Sequence, residues 1–441
     1  MNTNNASVKE KFSQELNEMK DTRYIILSIQ HLLAMYAGAV IVPIIVAGAL
    51  NMTVAQTTYL VAADIVMSGI ATFLQVYRGK YIGIGLPVVL ACTFTAVSPM
   101  IQIGSEHGLG VMYGAVFCSG LFVFLLAPFL AKLNRFFPPI VTGSVVTIIG
   151  VTLMPVALNY VAGGQGSSDY GDLIHLGIAF VTFAIILILY RFTKGFIHSI
   201  SILIGILVGT VLAGMLGLVD LTPVYEASWV QMPVPFHLAR FEFEWTSILT
   251  MTIVALVSVI ESTGVYYALG DITGKTIGEQ DLRRGYVSEG LAVMLGSLMN
   301  TFPYTTYSQN VGLIQLSGVK KRAVLFNMVV LMILCGSIPK IGALATIIPP
   351  AVLGGAMVCM FGSVLAYGIK MLGQVKEDSP NNIMIVACSV GIGLGVTVVP
   401  EAFAQLPASI SWLTSSGIVL GTVTAVVLNA FFNGIQDQRA A

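Results

Sequence analysis

The sequence predicts an all-α polytopic membrane protein. Three observations carry that prediction: a charge-poor composition, a succession of helix-length apolar runs, and an alternation of Lys and Arg along the chain. Hydrophobic residues fill 56% of the 441 positions and charged residues 10%, with a mean hydropathy of +0.88. A soluble domain carries about 25% charged residues, so a surface this poor in charge needs lipid as its solvent. The 45 glycines suit closely packed membrane helices, in which small residues let backbones approach. A net charge of zero leaves no basic surface for nucleic acid.

Cys92, Cys118, Cys335, Cys359 and Cys388 all fall in apolar stretches and form no close pair. They read as packing residues, and neither a disulfide framework, a metal site nor a cofactor is expected. The polar first 22 residues contain no apolar core of a signal peptide, so the first helix is expected to act as its own insertion signal.

A helix needs about 20 mostly apolar residues to cross a bilayer. Such runs fall at 24–50, 55–77, 84–101, 110–131, 136–160, 174–190, 197–218, 246–269, 285–300, 303–317, 322–338, 343–370, 382–399 and 411–433, which makes fourteen. Runs three and ten are short and carry Gly, Pro and polar residues, so they are expected to be broken. Fourteen spans place both termini on one side. With that side cytoplasmic, only Arg240 and Lys340 of the 21 Lys and Arg fall outside, as the positive-inside tendency requires.

An internal repeat supports the count. Pro138-Pro139-Ile140-Val141-Thr142-Gly143 and Pro349-Pro350-Ala351-Val352-Leu353-Gly354 share Pro-Pro, Val and Gly at an offset of 211 residues. They lie seven spans apart; seven is odd, so the second half is inverted relative to the first, a common plan for secondary transporters. The broken runs are also seven apart. One holds Gly83, Gly85, Pro87 and Cys92-Thr93-Phe94-Thr95; the other holds Pro303-Tyr304-Thr305-Thr306-Tyr307-Ser308-Gln309-Asn310. Interrupted backbone at membrane depth survives only where it lines a cavity or is buried in protein. Paired interruptions therefore point to the binding site, with the following half-helices aiming their N-terminal N–H groups at it.

Ionisable residues inside spans are few: His31, Asp64, Glu261 and Glu289, to which the amides Gln309 and Asn310 add. All lie in spans one to four or eight to eleven. Each half thus contributes four spans to a polar core and three to an apolar scaffold. Two carboxylates and a histidine in a dry site can relay protons. A carboxylate accepts two N–H donors in one plane, and an amide both donates and accepts, which matches the edge of a purine or pyrimidine. Structural alternatives stand beside these roles. His31 can hold a helix carbonyl, Asp64 can be a structural partner, and Glu289, near the cytoplasmic start of its span, can be partly solvated. No Lys or Arg lies mid-span, which favours a neutral or weakly acidic cargo.

Gln309-Asn310-Val311-Gly312, followed by four residues and then Ser317-Gly318, resembles the signature of the nucleobase–ascorbate transporters, also called nucleobase:cation symporter family two, with Ser317 in place of Thr. Gln30-His31 and Glu261-Ser262 match as well, and the resemblance covers essentially the whole chain, nearest to bacterial xanthine and uric acid permeases. It implies two inverted repeats of seven segments. The core domain would comprise 24–131 and 246–338, and the gate domain 132–245 and 339–433, with cytoplasmic tails at 1–23 and 434–441. It also implies a homodimer through the gate domains, an elevator motion, and proton-coupled import of a purine base, xanthine or urate. By the family pattern Glu261 and Gln309 bind the base through side chains, Phe94 stacks on it, and Ser308 offers backbone groups. Asn310 supports the site, with Thr93 beside Phe94, while His31 and Glu289 affect proton coupling. Val265 departs from the family, where Asp or His is common. An anion exchanger on the same plan is the rival. An enzyme is disfavoured, since no nucleophile–base pair, metal cluster or phosphate loop is present.

Overall fold

The computed structural model of the chain describes residues 18–133, 138–317, 320–373, 375, 379–403, 405–407, 413–414 and 416–434; the side chains at 133, 309, 316, 317 and 400 fall outside the description. The first half contains α1 (Thr22–Ala49), α2 (Val54–Val76), β1 (Leu90–Cys92), α3 (Val97–Leu133), α4 (Pro139–Val161), α5 (Leu173–Phe192) and α6 (Ser201–Met215). The second contains α7 (Trp245–Thr273), α8 (Glu279–Leu298), β2 (Tyr304–Thr306), α9 (Gln309–Ser317), α10 (Arg322–Gly336), α11 (Pro339–Thr346), α12 (Pro350–Leu372), α13 (Pro380–Val398) and α14 (Gly417–Asn433). Among the described residues eight helices are long and apolar enough to cross a membrane, or nine if α10 and α11, bent by 77°, form one span; α6 and α14 are shorter apolar helices.

The two broken runs are broken as the sequence indicates. β1 and β2 pair antiparallel, Leu90 with Thr306, Ala91 with Thr305 and Cys92 with Tyr304. Pro87 and Pro303 deny the backbone a helix, and the β-branched and aromatic residues after them favour extended chain. Gly83 enters this turn at φ +82°, where a Cβ would collide with the Tyr77 carbonyl, so glycine is required there. After β1 the chain becomes α3, which is two helices joined at a kink at Gly108 (φ 86°, ψ 170°), the first holding the end of run three and the second run four.

The run expected at 343–370 is not one span. α11 ends at Thr346, Pro349 is extended (φ −61°, ψ 145°), and Pro350 opens α12. Proline fits the first helical turn but cannot continue a helix across it. Residues 339–346 therefore pair with α10 instead. Of the run at 411–433, α14 begins only at Gly417, and residues 411, 412 and 415 lie outside the described residues.

The repeat is visible in the crossing of α4 and α12. Cβ atoms built on Gly143, Gly150 and Gly368 would meet Leu372, Leu365 and Thr147 respectively, and one on Gly354 would meet Val161. These pairs step along two antiparallel helices. The 211-residue offset maps the contact of Gly143 with Leu372 onto that of Gly354 with Val161, as a pseudo-two-fold demands. α1, α2, α3, α7, α8 and α10 pack around the strand pair, while α4, α5, α6, α12, α13 and α14 pack with one another.

Candidate functional site

α7 presents two polar faces, and the strand pair lies against one of them. Ser258, Ser262 and Tyr266 recur every four residues, one helical turn apart, and point inward. Ser262 Oγ donates to a carboxylate oxygen of Glu289 on α8, shares a hydrogen bond with Thr305 Oγ1 (2.9 Å), and accepts from the Thr306 N–H (3.3 Å). Ser258 Oγ meets Thr95 Oγ1 at 3.2 Å, and Thr95 shares a 2.6 Å bond with Thr93. Helix α7 thus holds the crossing on both sides, through β2 and through the turn after β1.

Glu261 lies on the other face of α7. It lines a recess with Ser308, Val265, Thr142 and Tyr367. The recess adjoins a cavity of about 410 Å³ lined by Thr142 of α4, Thr263 and Asp271 of α7, Gln315 of α9, and Tyr367 and Lys370 of α12. The two share Thr142, Gly264, Tyr367 and Met371. From Glu261 to Asp271 is ten residues of helix, about 15 Å at 1.5 Å per residue. One wall belongs to the elements packed around the strands, and the other to α4 and α12.

The remaining expected residues divide. Glu289 is 2% exposed, so the partly solvated alternative does not hold: α8 carries it under the strands, where it bonds Ser262 and lies 3.5 Å from the Tyr266 hydroxyl. His31 of α1 is 1% exposed and does not hold a carbonyl; its Nδ1 bonds Oδ1 of Asn310, whose Nδ2 has no partner. Ser308 lines the recess. Gln309 opens α9, and its side chain lies outside the described residues. Thr93 and Phe94 do not line the cavity: Thr93 caps the turn after β1, and the Phe94 ring stands edge-on to Phe361 of α12, centroids 5.3 Å apart. Asp64 accepts from the Tyr304 hydroxyl at 2.9 Å, which is the structural partnership left open by the sequence. Val265, where the family pattern commonly has Asp or His, is apolar and 2% exposed and lines the recess with Glu261.

Sequence reasoning passed over Ser258, Thr305, Tyr266 and the scaffold residues Thr142 and Tyr367. The four-residue spacing of Ser258, Ser262 and Tyr266 carries a signal; Thr142 and Tyr367 come from distant helices and carry none. Among the described residues no group of three or more His, Cys, Asp or Glu could hold a metal ion.

The profile of Xan_ur_permease, a permease family, matches residues 22–402. The chain is similar to a protein named "Xanthine permease" of Bacillus subtilis (strain 168), with 59% identity over 407 residues, 92% of this chain and 93% of that one. It is similar to "Nucleobase transporter PlUacP" of Paenibacillus larvae, with 55% identity over 94% of this chain and 95% of that one. It is also similar to "Uric acid permease PucK" of B. subtilis, with 52% identity over 94% and 96%. Among solved structures, the transmembrane domain of the cyanobacterial bicarbonate transporter BicA aligns with a TM-score of 0.59 at 16% identity over 92% of this chain and 98% of that one. SLC26A9 aligns at 0.63 with 13% identity over 97% and 70%. These two establish the fold alone. The family match and the identities together place the chain, an integral membrane transporter and not an enzyme, in the Xan_ur_permease family of permeases.

Proposed function

We propose that this protein imports a purine base, xanthine in the first instance, together with protons. The observation that carries the reading is the position of Glu261 beside Ser308, where an interrupted segment meets a cavity between two helix groups. A carboxylate there can accept two N–H groups from the edge of a planar heterocycle, and the half-helix opening at Gln309 adds an amide and the positive end of its dipole. Relatives named for xanthine, uric acid and nucleobases support that class of cargo. Uric acid is the second reading, since it differs from xanthine by one oxo group and one N–H. Glu289, tied to Glu261's neighbour Ser262, is the second acid of a proton relay; His31 acts through Asn310.

Two helix groups with the cavity between them fit an elevator, with core 24–131 and 246–338, to which α11 (339–346) is joined by its packing on α2 and α10, sliding against gate 132–245 and the rest of 339–433, fourteen segments in all. The Phe94–Phe361 contact crosses that boundary and would have to break in transit. The weakly buried α5 and α13 leave apolar gate surface for lipid or a second copy, and both termini belong in the cytoplasm. The test is uptake of labelled xanthine by cells expressing the protein, with urate, guanine and uracil as competitors. Uptake is expected to collapse with a protonophore and with Glu261→Gln. Uptake indifferent to the protonophore refutes symport; chloride or sulfate flux without purine uptake favours anion exchange.

A further inference from the structure

One face of α2 is polar and fully buried. Asp64, Ser68, Thr72 and Gln75 follow at steps of four, four and three, all 0% exposed. Polar atoms inside a membrane protein are costly unless they hold something, and three of these four hold the site's framework. Thr72 Oγ1 donates to the Leu90 carbonyl (3.3 Å) and accepts from the Leu90 N–H (3.0 Å), fixing β1. Gln75 Nε2 donates to the Tyr266 hydroxyl, which faces Glu289. Asp64 Oδ1 accepts from the Tyr304 hydroxyl (2.9 Å), whose oxygen also stands 2.8 Å from Thr301 Oγ1. Cys92 of β1 is the register partner of Tyr304. Asp64 therefore reaches the strand pair through Tyr304, and its Oδ2 has no partner.

We propose that Asp64 is a positioning residue for the binding site. By holding the Tyr304 hydroxyl it fixes β2 along α2, and with it Thr305 and Thr306 on Ser262, and the Ser308–Gln309 corner beside Glu261. This rests on the purine-binding reading above. Asp64 touches no cargo, and its effect is on where the cargo's contacts stand. A buried acid left without its donor, or a buried hydroxyl without its acceptor, forces the strand to shift.

The test is xanthine uptake kinetics, normalised to transporter in the membrane, for Tyr304→Phe, Asp64→Leu, Asp64→Asn and the Asp64→Leu/Tyr304→Phe double variant, with Glu261→Gln as control. Tyr304→Phe, which keeps the ring's packing, is expected to raise KM about tenfold while the maximal rate per molecule changes less than about twofold. Asp64→Leu should match it, the double variant should be no worse than the worse single, and Asp64→Asn, which keeps an acceptor oxygen, should stay near wild type. An unchanged KM in Tyr304→Phe overturns the proposal, as does a fall in abundance alone or additive KM effects in the double variant. If Glu261→Gln abolishes uptake while Tyr304→Phe keeps a normal KM, positioning fails and the binding reading stands. If Glu261→Gln leaves uptake intact, the binding reading fails and takes the positioning claim with it.

Discussion

Ser262 is the residue through which the second acid and strand β2 are joined. It follows Glu261 in sequence but points to the opposite side, to Glu289, Thr305 and the Thr306 N–H. Ser262→Ala removes one donor to a buried carboxylate and one acceptor for a buried N–H, each a loss of about 1–3 kcal/mol. It is expected to lower kcat/KM for the base by roughly ten- to a hundredfold while the protein still reaches the membrane, which uptake assays paired with quantitative blots would check; wild-type kinetics would contradict the role. At this scale the sequence was informative wherever a charge entered an apolar run. Glu261, Glu289, His31 and Asp64 were legible because burying them is costly. Their partners were not, because Asn310 for His31 and Tyr304 for Asp64 lie more than 200 residues away in the chain. Phe94 has a stacking role by family pattern alone, and its ring stands edge-on to Phe361.

At the scale of elements, α7 illustrates how one helix serves two surfaces, with Ser258, Ser262 and Tyr266 toward the strands, Glu261 toward the recess, and Gly264 and Asp271 toward the cavity. Its start is fixed by Glu244. Partial burial pushes that carboxyl up, but bonds from the Thr246 and Ser247 N–H groups and the Thr246 hydroxyl outweigh it and hold it at about 2. Because this lies below the unfolded value near ~4.3, the cap's contribution is fully present above that pH and is lost as pH falls toward 2. Glu244→Ala should therefore cost about 1 kcal/mol near neutral pH, seen as a lower melting temperature of the purified protein, with the difference shrinking below pH ~4. An equal difference at all pH values would rule out the ionised cap. The broken runs could be read in advance because Pro and β-branched residues oppose helix in both. The break between α11 and α12 was hidden inside one continuous apolar run, since hydropathy does not register a proline turn.

For the whole molecule, the odd number of spans between the two Pro-Pro motifs indicated inversion, and the antiparallel contacts of Gly143 with Leu372 and Gly354 with Val161 realise it. The polar partition of the spans matches the way the helices group. What could not be read from the chain is the cavity, because its walls come from α4, α7, α9 and α12, which no local pattern brings together. The proposed function depends on a purine base resting against Glu261, in the recess that adjoins that cavity. The most direct measurement is equilibrium binding of labelled xanthine to the purified protein, wild type against Glu261→Gln, with urate and uracil as competitors. Saturable binding that urate displaces better than uracil, and that falls at least about tenfold in the variant, is the expected result. Binding of equal strength in the variant, or displacement by bicarbonate or chloride instead of purines, would contradict it.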